Sequence, residues 1–120
     1  MKQLEEKRKY LISRYNEAAN LLPQVLRSEF YHLSDEDKIS AEEFRLRAGK
    51  RASVVMPDGE RAVGGRIFQN DLNAVVEVAT EASMHSTKES LKSGYITASG
   101  GHRIGICGTA VVKGGDVTGF

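Results

Sequence analysis

A glycine-rich stretch from Tyr95 to Val112 constrains the fold more than any other part of this sequence. It reads YITASGGHRIGICGTAVV, with β-branched and aromatic residues on both sides of Ser99-Gly100-Gly101. Because glycine adopts the positive φ angles that tight turns need, this pattern predicts a β-hairpin. The chain is therefore expected to contain a sheet that includes these two strands.

The second strand of this hairpin has two chemically different faces. One face is predicted to carry Ile104, Ile106, Gly108, Ala110 and Val112, and the other Arg103, Gly105, Cys107, Thr109 and Val111. The first set is typical of a core face. On the second face, Arg103 lies beside Gly105, which lets a ligand or another backbone approach closely. This combination is unusual for a strand whose only role is to pack in the core.

Size and charge exclude several classes of protein. The 120 residues are 40% hydrophobic and 28% charged, as in a single globular domain, and 17 basic against 16 acidic residues leave a net charge of +1. This balance argues against a nucleic-acid or anionic-membrane binder. No apolar run approaches the roughly 20 residues that span a bilayer, and no signal peptide is evident, so we expect a cytosolic protein.

The remaining elements predict an α+β fold. A leading helix over residues 1–22 precedes a body over residues 23–120, which begins with a short helix from Gln24 to Tyr31 that has Val25, Leu26 and Phe30 on its apolar side. Ser34–Ser40 is interpreted as a polar connection. Strands at Glu42–Ala48, Ala52–Met56 and Arg61–Val63 form an antiparallel meander that Gly64-Gly65 ends.

Two helices are predicted between this meander and the hairpin. The first runs from Gln69 to Ala82 with apolar residues at helical spacing, and the second occupies residues 83–93. The expected architecture is a small antiparallel sheet with this helix pair packed on it. A last strand follows the turn at residues 113–116, and because the chain ends on apolar Phe120, we expect further sequence beyond it.

The sequence contains no constellation of catalytic residues and no metal-ligating pattern. Three scattered histidines and one cysteine, Cys107, do not make a zinc site, and Cys107 is predicted to be a small buried hydrophobe. The acidic residues at 35–37 are interpreted as solvated charge. The glycine runs lack the G-x-x-x-x-G-K-[ST] pattern that binds phosphate. The isolated chain is therefore expected to carry neither a cofactor nor a metal.

Arginines are the most informative charges in the chain. Arg45, Arg47 and Arg103 are predicted to lie on strands, opposite the apolar faces, and the arginine fork suits carboxylate or phosphate. The alternative interpretation is a set of surface ion pairs with Glu42 and Glu43, each worth little. His102, next to Arg103 at the hairpin tip, is expected to be a surface histidine.

Two stretches resemble a known family. EEFRLRAGKR at 42–51 and LKSGYITASGGHRIGICGTAVVKGG at 91–115 are similar to E-I-R-L-R-x-G-x-P and G-Y-I-T-x-x-G-G-H-R-V-G-x-x-G of the stage III sporulation protein AA family. The resemblance covers residues 22–115. The second motif includes His102 and Arg103 together with the glycines at 100, 101, 105 and 108.

The resemblance implies a function for the parent protein. Members are similar to hexameric type II and type IV secretion ATPases, in which an N-terminal α/β domain precedes a RecA-like ATPase domain that binds ATP and Mg²⁺. It also implies ring neighbours and membrane proteins of the mother cell–forespore channel as partners, and a mother-cell location. By resemblance, Arg103, helped by Arg45 or Arg47, faces the nucleotide cleft of the full-length protein or of an adjacent subunit, and His102 is a further candidate for a contact with the nucleotide or with another domain.

A different class of function stays open beside this one. The chain is alternatively a free-standing α/β module that binds a protein partner with no ATPase attached, since these residues contain no motor and the last strand could accept a partner strand. The two hypotheses differ in what the reading frame encodes after residue 120.

Overall fold

The computed structural model describes residues 2–81, 94–98, 100–107, 111–113 and 116–118, with side chains at 2–78, 94–98 and 100–106. The helices are α1 Lys2–Ala19, α2 Gln24–Tyr31, α3 Asp35–Ser40 and α4 Gln69–Glu81. The strands are β1 Glu43–Arg47, β2 Arg51–Met56, β3 Gly59–Arg66, β4 Tyr95–Thr97, β5 Arg103–Cys107, β6 Val111–Lys113 and β7 Asp116–Thr118. The second predicted helix, at 83–93, lies outside the described residues. Within them, the α+β class is confirmed.

The main sheet has five strands in the order β3-β2-β1-β5-β4. The predicted meander β1-β2-β3 and the predicted hairpin β4-β5 are both antiparallel, as expected. The central pair β1-β5 is parallel, whereas the prediction had antiparallel pairs throughout. After β3, at one edge of the sheet, the chain continues through α4 and re-enters the sheet on the other side of β1, where β4 forms the opposite edge. β5 then runs back between β4 and β1 and pairs with β1 in parallel, as strands joined by a long crossover connection can.

The strand beginning at Arg103 is shorter than predicted. β5 ends at Cys107, and the valines at 111 and 112 lie in β6, which pairs with β7 in a separate two-stranded sheet. The last strand is confirmed over Asp116–Thr118, whereas residues 114–115 of the predicted turn lie outside the described residues. The predicted common face is confirmed for Ile104 and Ile106, which are both buried, whereas residues 108–110 and the side chain of Val112 lie outside what the structure describes.

β3 is longer than predicted, because it continues through Gly64 and Gly65 to Arg66. The register between β2 and β3 shifts between Arg51 and Ser53. Gly64 has φ +79°, a conformation that glycine adopts without strain. Gly64 therefore accommodates a bulge in the sheet, and Gly64-Gly65 does not end the strand.

Ser34–Ser40 is a helical turn and not the predicted polar connection. The Ser34 hydroxyl accepts a hydrogen bond from the Asp37 amide at 3.1 Å and so caps the helix. The three acidic residues of the first turn stabilise the helix because their negative charges lie at the positive end of its dipole. Val25 of α2 is also placed differently. It is 86% exposed, while Leu26 and Phe30 point into the core as predicted.

The core lies between one face of the sheet and the helices. β1 contributes Phe44 and Leu46, β5 contributes Ile104 and Ile106, and α4 contributes Leu72, Val75 and Val76, all of them buried. α1 packs onto this core through Tyr15, Ala18 and Ala19, and the Tyr15 hydroxyl donates to the Phe30 carbonyl at 2.7 Å. Among the described residues, no helix combines the length and apolar character needed to cross a membrane.

Candidate functional site

The side of the sheet opposite the core carries a cluster of charged residues. Alternation along β1 places Glu43, Arg45 and Arg47 on this side, because Phe44 and Leu46 point into the core. The parallel register sets Glu43 beside Arg103 and Arg45 beside Gly105. We call this side, with its residues Glu43, Arg45, Arg47, Ser53, Glu60 and Arg103, the arginine–glutamate face.

Two of the three predicted arginines are neutralised by glutamates. Arg45 Nε lies 3.0 Å from Glu43 Oε2, and Arg45 Nη1 lies 3.2 Å from Glu60 Oε1. Arg47 also pairs with Glu60. The alternative of surface ion pairs thus holds for Arg45 and Arg47, although the second acidic partner is Glu60 of β3 and not Glu42.

Electrostatics keep this network ionised. A hydrogen bond from the Ser53 hydroxyl, at 2.5 Å, together with the positive charges of Arg47 and Arg45, lowers the pKa of the Glu60 carboxyl. The hydrogen bond to Glu43, with the charges of Glu43 and Glu60, raises the pKa of Arg45. Two cations and two anions therefore offset one another over this part of the sheet.

Arg103 has a different environment. Its Nε lies 3.9 Å from Glu43 Oε1, and its guanidinium carbon lies 3.8 Å from the centre of the Tyr95 ring. Its side chain is 52% exposed. Because Glu43 is already shared with Arg45, the positive charge of Arg103 is the least neutralised of the three predicted arginines.

A shallow groove of about 260 Å³ runs beside these residues, lined by Glu43, Arg45, Arg47, Gly94, Gly105 and Ile106. A Cβ atom at position 105 would lie 3.3 Å from Glu43 Oε2 and 3.5 Å from the Phe44 carbonyl oxygen. A side chain at position 105 would therefore crowd Glu43, while the close approach of a ligand or another backbone to Gly105 stays a prediction.

His102 is buried, and its predicted placement at the surface is wrong. Its ring is 1% exposed and lies 4.5 Å from the Phe44 ring and 6.0 Å from the Tyr15 ring, centroid to centroid. Burial, and secondarily the positive charge of Arg14, lowers its pKa from the ordinary 6.5 to about 4. His102 therefore faces the core as a neutral ring, away from Arg103.

The glycines at the hairpin tip have two separate roles. Gly101 has φ +87°, as the predicted turn requires. Gly100 provides contact space for α1, since a Cβ atom there would lie 2.8 Å from Arg14 Cγ and 3.2 Å from Arg14 Cα, and the Tyr10 hydroxyl donates to the Gly100 carbonyl at 3.2 Å. Gly108 lies outside the described residues.

Replacing Gly100 by alanine is expected to destabilise the chain by about 1–3 kcal/mol, because the backbone of α1 would have to move away from the hairpin. Urea unfolding followed by circular dichroism measures the change. The matched control is Gly65→Ala, where a Cβ atom would meet no other atom within 4 Å and a change below about 0.5 kcal/mol is expected. Equal midpoints for the two variants would contradict the packing role of Gly100.

Sequence reasoning did not single out Ser53, Glu60 or Tyr95 as part of the site. Glu60 is distant from Arg45 in sequence and meets it only through the meander. The hairpin register does place Tyr95 opposite Gly105 and thus diagonal to Arg103 on the same side. Within the described part of the chain, no group of three or more histidine, cysteine, aspartate or glutamate residues could hold a metal ion.

Comparisons with known proteins show which family this chain is related to. A family model described as Sporulation stage III, protein AA matches residues 12–119. Stage III sporulation protein AA of Bacillus subtilis (strain 168) is 26% identical over 105 residues, which cover 88% of this chain and 34% of that relative. The chain thus spans about a third of the length of the curated relative that it matches, and no solved structure matches it. Since the family model covers all but a few residues at each end of the 120-residue sequence, this chain belongs to the stage III sporulation protein AA family.

Proposed function

We propose that this chain is the non-catalytic N-terminal domain of a sporulation ATPase, and that Arg103 reaches the nucleotide held by an ATPase domain of the same or a neighbouring subunit. The observation that carries the proposal is the half-exposed guanidinium of Arg103, fixed on a sheet whose other two predicted arginines are paired with glutamates. Family membership supports the sporulation role.

A cation in this position has a clear chemical use. Negative charge on the transferring phosphoryl group is stabilised by arginines placed before the reaction begins, so that little reorganisation is needed. Arg103 has both the charge and the exposure for this role, while ATP and Mg²⁺ would be bound by the ATPase domain. The matched relative extends far beyond the region it shares with this chain, which leaves room for such a domain in that relative.

The proposal includes partners and a location. The domain would pack against its own ATPase domain and against neighbours in a homo-oligomeric, hexameric ring. The ring would act in the mother-cell cytoplasm on membrane proteins of the channel to the forespore, and would power or assemble that channel. Nucleic acid is not an expected partner, because the net charge is only +1.

The test is Arg103→Ala in the full-length protein. We expect ATPase activity to fall several-fold, because a cation near the developing phosphoryl charge is lost, while the urea midpoint of the variant chain stays unchanged. The matched control is Arg61→Ala. Arg61 is similarly exposed, but it pairs with Asp37 of α3 and lies away from the arginine–glutamate face.

Two results would contradict the proposal. Unchanged ATPase activity in Arg103→Ala would remove Arg103 from the nucleotide site, and ATP turnover by the purified 120-residue chain would show that the domain is itself catalytic.

Sequencing the reading frame beyond codon 120 distinguishes the ATPase from the alternative of a free-standing interaction module. A phosphate-binding loop between a strand and a helix supports the ATPase, whereas an early stop favours the free-standing interaction module.

A further inference from the structure

We infer that Tyr95 is a positioning residue, whose ring holds the Arg103 guanidinium in place for an incoming phosphoryl oxygen. This inference rests on the proposed function and extends it to a residue that does not itself contact the anion. It is carried by the contact between the Tyr95 ring and Arg103, by the register of the hairpin, and by the difference between Arg103 and Arg45.

The hairpin register brings the two side chains together. Tyr95 pairs with Gly105, and Thr97 pairs with Arg103, so Tyr95 is the diagonal neighbour of Arg103 on the same side of the sheet. The guanidinium carbon lies 3.8 Å from the centre of the ring. A guanidinium over the face of a tyrosine ring is attracted by its electron density, and this holds a long side chain that would otherwise sample many rotamers.

Gly105 is part of this arrangement. It lies between Tyr95 and Arg45 in the same row of the sheet, and it carries no side chain. A Cβ atom there would already lie 3.3 Å from Glu43 Oε2 and 3.7 Å from Arg45 Cγ. The missing side chain at Gly105 therefore leaves room for the Glu43 carboxylate and the Arg45 stem next to Arg103, beside the groove that Gly94 and Gly105 line.

The contacts that hold each arginine side chain decide whether its N–H groups can bind a phosphoryl group. Arg45 is held by carboxylates at 3.0 Å and 3.2 Å, which engage its Nε and Nη1 donors. Arg103 is held mainly by a ring face, and its closest carboxylate oxygen is 3.9 Å away. An aromatic ring fixes the plane of a guanidinium without using its edge, so the N–H donors stay available for bidentate binding of a phosphoryl group.

The experiment compares Tyr95→Leu, Tyr95→Phe and Arg103→Ala in the full-length protein, with ATP as the substrate. We expect Tyr95→Leu to lower kcat about three- to tenfold with a smaller change in KM, since the loss of a ring–cation contact loosens the cation in the transition state. Tyr95→Phe retains the ring and should stay within about twofold of the wild-type kcat. Tyr95→Leu combined with Arg103→Ala should be no slower than Arg103→Ala alone.

The outcomes separate this inference from the function on which it rests. If Arg103→Ala is slow and Tyr95→Leu matches the wild type, Tyr95 does not position Arg103, although the proposed function stands. If Tyr95→Phe is as slow as Tyr95→Leu, the hydroxyl and not the ring is responsible, and the inference is overturned. If neither Arg103→Ala nor Tyr95→Leu changes kcat, the proposed function itself fails. Equal urea midpoints of the variants and the wild type would show that any loss of kcat is not a loss of folding.

Discussion

Phe44→Ala is expected to lower the free energy of unfolding by about 3–5 kcal/mol, the largest effect anticipated for any substitution considered for this chain. Phe44 is fully buried, and its ring lies 5.0 Å from Tyr15, 4.8 Å from Phe30 and 4.5 Å from His102, centroid to centroid. Three other elements, α1, α2 and the hairpin, thus meet β1 at this ring. Removal of the Phe44 ring would leave a cavity bordered by all of these elements, and the movement of one of them would not fill it.

Urea unfolding of the 120-residue chain measures this effect. The control is Val25→Ala, since Val25 is 86% exposed and its truncation should change the free energy of unfolding by less than about 0.5 kcal/mol. A domain of this size is expected to have about 5–15 kcal/mol of stability in total, so the Phe44 variant should show a much lower midpoint. A shift as small as that of Val25→Ala would mean that the aromatic cluster does not hold α1 and α2 on the sheet.

The second large effect is a loss of stability in mild acid caused by His102. Burial, and secondarily Arg14, lowers the pKa of this histidine from 6.5 to about 4 in the folded chain, while the unfolded chain titrates near the ordinary value. Between pH 6.5 and about pH 4, the unfolded state therefore binds more protons than the folded state. The contribution of the neutral His102 ring to the free energy of unfolding is complete above about pH 6.5. It is lost as the pH falls towards about 4, by a total of about 3 kcal/mol.

The positive charge of Arg14 acts in the same direction as burial. Arg14 of α1 raises the cost of a second positive charge on the His102 ring. Neither ring nitrogen of His102 has a hydrogen-bond partner within the described residues. A proton on this imidazole would therefore be poorly solvated and repelled.

The measurement is urea unfolding at a series of pH values between 7 and 4, for the wild type and for His102→Leu. Leucine is apolar and of similar volume, so the variant should lose less stability than the wild type over this range, by up to about 3 kcal/mol. Surface carboxylates contribute equally to both proteins and cancel in the comparison. His32→Gln, at an exposed histidine, leaves the buried imidazole in place and should follow the wild type. Identical pH profiles for the wild type and His102→Leu would contradict the acid effect.

Several features of the site could be predicted because they depend on local periodicity. Alternation along β1 and β5 placed Arg45, Arg47 and Arg103 opposite the core, and the structure agrees. The same alternation could have placed His102 correctly, because it has the parity of Ile104 and Ile106. Its position beside a turn suggested exposure, but α1 covers this end of the hairpin, and Tyr15 lies against the ring.

Other features could not be predicted because they depend on which distant segments meet. The partner of Arg45 and Arg47 is Glu60, which reaches them only when β2 and β3 fold back beside β1. The contact of Gly100 with Arg14 likewise requires that α1 pack on the hairpin. In both cases the sequence separation is large, and nothing in the local pattern selects one partner over another.

By itself, the sequence determined the class of the fold, the meander, the hairpin and the exposure of the three arginines, because residue spacing decides which side chains share a face. Only the tertiary structure decided that β1 and β5 pair in parallel, that His102 is buried, and that Arg103 alone of these arginines rests on a tyrosine ring. The physical reason is that strand order and helix docking are selected by the burial of the whole apolar surface at once, and no single segment carries that information.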